Sequence, residues 1–211
     1  MERRTRIKIC GITGLDDALT IAALGADSIG FVFHRQSPRF IELDIARRIR
    51  DAMPPFVTIT ALFMNESDEW VDQVVSAVNP DCLQFHGTEA EATCTQWKLP
   101  YLKTIAMGSM IDVEAYAGHY LSAQGFLFDS NAAGRQGGSG DTFDWSKIPS
   151  TFDRPLVLAG GLHPANVADA VSRIKPWGVD VSTGVEKSKG VKDINLINQF
   201  FHEVKRGDAN A

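Results

Sequence analysis

Leu156-Val157-Leu158-Ala159-Gly160-Gly161-Leu162, followed after a helical stretch by Gly178-Val179-Asp180-Val181-Ser182-Thr183-Gly184, is the passage that decides the fold. Each half is a short apolar, β-branched run that opens into glycines or small hydroxyls, the pattern of a buried strand entering a loop. Glycines there let main-chain N–H groups approach an anion closely. In a (β/α)8 barrel the last two strand-to-helix loops commonly hold a phosphate. The pair therefore points to a barrel that grips a phosphate monoester, with Gly160, Gly161, Asp180, Ser182, Thr183 and Gly184 as the phosphate-binding group.

The same alternation extends back to the N-terminus. Apolar runs at 6–12, 28–33, 56–64, 82–86, 101–107 and 125–129 alternate with stretches of helical period, including one that opens at Asp16-Asp17 and closes at Gly25. Pro54-Pro55 stops the helix over 43–53, and the last helix is expected over 193–205. Strands alternating with helices imply βαβ crossovers and a parallel sheet. Eight strands in 211 residues leave about 26 residues per unit, near the short end for a TIM barrel. A doubly wound open sheet normally places G-x-G-x-x-G after its first strand, and Cys10-Gly11-Ile12-Thr13-Gly14-Leu15 does not supply it. The expectation is an α/β chain forming one (β/α)8 barrel domain over residues 1–211, with short loops and a frayed tail at 207–211.

Composition narrows the function. The chain carries 21 Lys+Arg against 26 Asp+Glu, a net charge of −5, and its basic residues form no dense stripe. Nucleic acid is therefore not the expected partner. No apolar run approaches the roughly 20 residues needed to cross a bilayer, so no membrane association is expected either. Three cysteines without a C-x-x-C pair, and five histidines without close ligand spacing, point away from disulfides and metal. The reading is of a reduced, cytoplasmic protein acting on a small phosphorylated molecule without a cofactor, as a monomer or homodimer.

Chemistry in a barrel sits where strands end. The first strand ends in Cys10, whose thiol lies where a substrate-facing side chain would be. Cys82 opens its strand and Cys94 lies in a helical pattern, so both read as inert filler. After the second strand comes Arg39, whose planar guanidinium suits a carboxylate. In Gln84-Phe85-His86-Gly87, an outward Phe85 would turn Gln84 and His86 together into the barrel mouth. Asp129 closes a hydrophobic strand beside the glycine-rich stretch Gly134–Gly140, which suits a general acid next to a closing lid.

Together these stretches resemble the phosphoribosylanthranilate isomerase family. The matching residues are Lys8–Thr13, Gly25-Ala26-Asp27, Gly30–Phe33, Ser37-Pro38-Arg39, Gln84–Gly87, Asp129-Ser130, Gly137–Trp145, Leu158–Leu162, Pro164–Val167 and Val179–Glu186, in order along almost the whole chain. The resemblance implies an Amadori rearrangement in tryptophan biosynthesis. Asp129 would act as the general acid that opens the furanose ring, and Cys10 as the general base at C2′. Arg39 would hold the anthranilate carboxylate, with Gln84 and His86 also on the substrate. A thiol of ordinary pKa near 8.5 is only a few per cent thiolate at pH 7, so the site is expected to stabilise that anion. Asp141 and Lys189 depart from the family pattern, both in loops. The alternatives are a barrel acting on a histidine-pathway aminoaldose and a non-catalytic barrel module. The first normally has an aspartate where this chain has Cys10, and the second predicts loss of the acid, the base or the phosphate loops.

Overall fold

The computed structural model describes residues 4–109, 112–130 and 142–211. Eight parallel strands close into a barrel in chain order: β1 (Arg6–Cys10), β2 (Ser28–Val32), β3 (Thr58–Phe63), β4 (Cys82–Phe85), β5 (Tyr101–Ala106), β6 (Gly125–Asp129), β7 (Leu156–Leu158) and β8 (Gly178–Val181). β8 pairs with β1, with Lys8 opposite Asp180, so the sheet has no open edge. That pairing excludes the doubly wound alternative. Helices α1 (Leu15–Ala23), α2 (Leu43–Ala52), α3 (Asp68–Val78), α4 (Glu91–Cys94), α5 (Val113–Gly118), α6 (Val167–Ile174) and α7 (Ile194–Ala209) cover the outside. None of the described helices is long and apolar enough to cross a membrane.

Strand alternation sorts side chains between two environments. Ile7, Ile9, Ile29, Phe31, Ile59, Phe63, Phe85 and Phe126 face the helices in one continuous apolar layer. Rings stack around that layer from Phe33 to Phe63 at 5.8 Å, and from Phe85 to Trp97 at 6.0 Å. The opposite set points inside, where Cys10, Val32 and Leu62 form one small apolar cluster and Leu127, Val157 and Ala159 another. Lys8, Gln84, Asp129 and Asp180, all buried, share that interior. A barrel lumen filled only for stability would be branched aliphatic throughout; this one is polar toward the strand ends.

The structure departs from the sequence expectations in four places. The first strand stops at Cys10 because Gly11 turns the chain with φ +78°. The third runs over Thr58–Phe63, and Phe56 lies outside it in a fully exposed left-handed conformation. Between β6 and β7 the described residues hold no α-helix, only a 3₁₀ turn over Trp145–Lys147. Asp144 caps that turn and Pro149 prevents its extension. Finally, the chain at 207–209 is not frayed. α7 continues to Ala209, Gly207 packs against the main chain of Ala168, and Asp208 accepts from Thr5 N at 3.0 Å and Thr5 Oγ1 at 2.6 Å. The glycine-rich stretch Gly134–Gly140 and Asp141 lie outside the described residues.

One buried ion pair shapes the rim beneath the helices. Lys103, on an outward position of β5, is fully buried, and its Nζ donates to Phe85 O, Gly87 O and Glu89 Oε2, the last at 2.9 Å. Glu89 also accepts from Asn65 N and Gly87 N. The pair thus ties the ends of β3, β4 and β5 together. Lys103→Met would strand the Glu89 carboxylate in the interior, a change that typically costs about 3–5 kcal/mol. Urea unfolding at neutral pH measures it; a loss below about 1 kcal/mol would show that the clamp is replaceable.

Candidate active site

The rim at the strand ends encloses two adjoining cavities. The larger, about 570 Å³ including its open mouth, is lined by Cys10, Val32, His34, Ser37, Arg39, Leu62, Met64, Gln84, His86, Asp129, Asp180 and Ser182. The second, about 390 Å³, is lined by Asp129, Ser130, Ala159, Gly160, Gly161, Leu162 and Asp180–Gly184. Asp129, Asp180 and Ser182 border both. All eleven residues expected at a site therefore converge on one rim. Cys82 and Cys94 do not join them, and burial pushes their thiols up to about 11 and about 12.

Glycine makes the second cavity possible at two points. A Cβ on Gly160, which sits at φ +75°, would lie 2.3 Å from Ser130 N; one on Gly184 would lie 1.9 Å from Leu162 O. The loops after β6, β7 and β8 are thereby drawn into backbone contact. Asn166 locks the β7 loop from beneath: its Nδ2 donates to Gly161 O at 2.9 Å and its Oδ1 accepts from His163 N at 2.8 Å. A cavity walled by closely packed main chain and small hydroxyls suits a phosphate group.

Cys10 lines the larger cavity, and Lys8 projects from the same face of β1 two residues before it. Lys8 Nζ donates to Asp180 Oδ1 at 2.9 Å. Burial pushes the Cys10 thiol up; against it, the charges of Lys8 and then Lys192 pull down, while Asp180 adds to the rise. The burial effect prevails. His86 Nδ1 lies 3.2 Å from Gln84 Nε2 and 3.1 Å from Thr104 Oγ1. Burial depresses the His86 pKa, so the ring is neutral near pH 7. Phe85 does point outward, and Gln84 Oε1 is buried without a hydrogen-bond partner among the described residues. Such an acceptor suits a donor brought by a ligand.

Arg39 is in place but not free. Its stem lies over Gly11, where a Cβ would come within 2.6 Å of Arg39 Cδ. Its Nε and Nη2 form a two-pronged pair with Glu186 at 2.7 and 2.8 Å, and Nη2 also reaches Thr183 Oγ1. Glu186 opens a hairpin, β9 (Glu186–Ser188) and β10 (Val191–Lys192), that the periodicity did not reveal. Lys192 Nζ returns to Glu186 Oε1 at 2.9 Å and to Ser182 O and Oγ. Burial opposes the Glu186 charge, yet Arg39 and Lys192 hold its carboxyl down at about 2. It is therefore ionised at any pH near neutrality. Lys8, Glu186 and Lys192 were missed by reading strand ends alone. For Lys8 a signal existed: a lysine two residues before Cys10 must share its face of the strand. Among the described residues no group of three or more His, Cys, Asp or Glu side chains is placed to hold a metal ion.

Known proteins resemble this chain in sequence and in fold. The model of the N-(5'phosphoribosyl)anthranilate (PRA) isomerase family matches residues 7–203. An N-(5'-phosphoribosyl)anthranilate isomerase of Stenotrophomonas maltophilia is 49% identical over 207 residues, covering 97% of this chain and 95% of its own. One from Pseudomonas fluorescens is 48% identical over 200 residues, covering 95% and 98%. Among solved structures, the phosphoribosyl anthranilate isomerase of Thermotoga maritima superposes with a TM-score of 0.83 at 38% identity, covering 95% of this chain and 98% of that one. A phosphoribosyl anthranilate isomerase in complex with reduced 1-(o-carboxyphenylamino)-1-deoxyribulose 5-phosphate gives 0.80 at 38%, with the same coverage. A match of this extent in sequence and fold leaves one assignment: the chain belongs to the N-(5'-phosphoribosyl)anthranilate isomerase family.

Proposed function

We propose that this chain converts N-(5′-phosphoribosyl)anthranilate to 1-(2-carboxyphenylamino)-1-deoxyribulose 5-phosphate, with Asp129 as general acid and Cys10 as general base. The observation that carries the assignment of roles is the shared wall of the two cavities. With the phosphate against Gly160, Gly161 and Ser182–Gly184, the ribose lies beside Asp129 and Asp180, and the aromatic ring extends toward Val32, Leu62 and Arg39. Asp129 gives a proton to the ring oxygen as the C1′–O bond breaks, and the nitrogen lone pair forms the Schiff base. Cys10 then removes the C2′ proton, leaving an enolamine that tautomerises to the ketone. An acid and a base on strands β1 and β6 reach the substrate from different sides of the lumen, as that sequence requires.

Glu186 gives Arg39 a defined orientation. With Nε and Nη2 engaged, Nη1 is the guanidinium nitrogen without a hydrogen bond among the described residues, and Arg39 lines the cavity. Positioning it in advance lowers the ordering cost of binding a carboxylate. Arg39 and Lys192 around the single carboxylate of Glu186 also leave net positive charge beside the cavity, in a chain whose net charge is −5. The same reading makes the chain one domain that works in the cytoplasm as a monomer or homodimer, with no cofactor, metal, membrane or nucleic acid.

Turnover is followed as loss of phosphoribosylanthranilate fluorescence, and its absence in folded protein overturns the reading. Cys10→Ala and Asp129→Asn are each expected to lower kcat by roughly 10²–10⁴-fold. Near-normal turnover in either removes that residue's role. Arg39→Ala is expected to act mainly on KM; an unchanged KM would make its pairing with Glu186 purely structural.

A further inference from the structure

We propose that Lys8 is the positioning residue that stabilises Cys10 as a thiolate, sharing its ammonium between the sulfur and Asp180, and that Gly30 lacks a side chain so that the two can meet. The inference rests on the reading of Cys10 as the base. Lys8 and Cys10 lie two residues apart on the inward face of β1, and Gly30 is the β2 partner of Cys10. A Cβ built on Gly30 would lie 3.0 Å from Cys10 Sγ and 3.0 Å from Lys8 Nζ. The sulfur and the ammonium therefore border the same small gap, and any side chain there would separate them.

Other charged and titratable groups surround the thiol from several further elements. From β10, Lys192 directs three hydrogen bonds to Ser182 O, Ser182 Oγ and Glu186 Oε1. From the loop after β2, Arg39 turns Nε and Nη2 to Glu186. From β8, Asp180 accepts from Lys8. His86 and Asp129, from the ends of β4 and β6, face the same cavity. Lys8 makes one hydrogen bond to a side chain, to Asp180, and an ammonium carries three N–H groups. Of the two nearby ammonium groups it is the one with N–H groups left for sulfur, and it borders the same gap at Gly30 as the thiol. The charges follow this pattern: burial works against Lys8, yet Asp180 and then Cys10 raise its pKa above the ordinary lysine value. On the sulfur, Lys8 is the largest influence opposing burial.

The test reads the thiol directly. In a Cys82→Ser/Cys94→Ala background, the rate of Cys10 alkylation by iodoacetamide is measured against pH, beside the pH profile of kcat/KM. Lys8→Met removes the cation; Gly30→Ala keeps every charge and pushes the two groups apart. Both are expected to move the alkylation midpoint up by about one pH unit or more, slowing alkylation about tenfold at neutral pH. Both are also expected to lower kcat/KM at neutral pH and recover it as pH rises. A purely structural role would lower activity equally at every pH. An unmoved midpoint in folded Gly30→Ala, judged by circular dichroism, overturns the proposal even where Lys8→Met fails to fold. Failure of the base reading shows separately, as turnover retained by Cys10→Ala, while the alkylation midpoint still reports on Lys8.

Discussion

The ion pair of Lys8 and Asp180 sits at the seam where the first strand meets the last, between residues 172 apart in the chain. Both side chains are nearly inaccessible to water, at 6% and 9% exposure. Desolvating two charges is costly, and removing one partner leaves the other uncompensated, so such a pair tolerates no slip. Shifting β1 by one residue against β8 would turn Lys8 out among the helices and Cys10 with it. The register that keeps the pair intact is the register that brings Cys10 and Ser182, each two residues further along its strand, to the cavity wall. Closure of the fold and placement of the thiol are thus one constraint.

A second layer of charge rests on that seam. Glu186 receives Arg39 from the loop after β2 and Lys192 from the small hairpin, and Lys192 holds the main chain of Ser182. The carboxylate at the centre stays ionised because two cations reach it at hydrogen-bond distance. The network orients a guanidinium, fixes the loop after β8, and concentrates positive charge in a chain that is acidic as a whole. It also explains the tight glycines. Gly11 lies under the stem of Arg39, and Gly190, whose N–H reaches Glu186, sits where a Cβ would approach Pro38 O.

The strands were legible because burial on both faces leaves a short, nearly continuous apolar run, which can be read without partners. Asp129 and Cys10 were legible because each closes such a run where a barrel presents its chemistry, and Arg39 because it lies in the loop that follows one. Other elements were not. The 3₁₀ turn over Trp145–Lys147 carries aromatic and capping residues that read equally well as a helix start. The extension of α7 through Asp208 depends on Thr5, at the other end of the chain. Gln84 and His86 were read from alternation alone, but that the Gln84 oxygen is buried with no hydrogen-bond partner among the described residues emerged only once its neighbours were placed.

By itself the sequence determined the order and number of the barrel strands, the rim residues and the family, because these are written in local periodicity and in motifs whose residues are contiguous. Only the tertiary structure decided which charges meet. Nothing local to Lys8 announces Asp180, and nothing local to Arg39 announces Glu186, 147 residues away. A buried charge is stable only with its partner, and a closed barrel chooses that partner by strand register, a property of the whole chain that no short stretch contains.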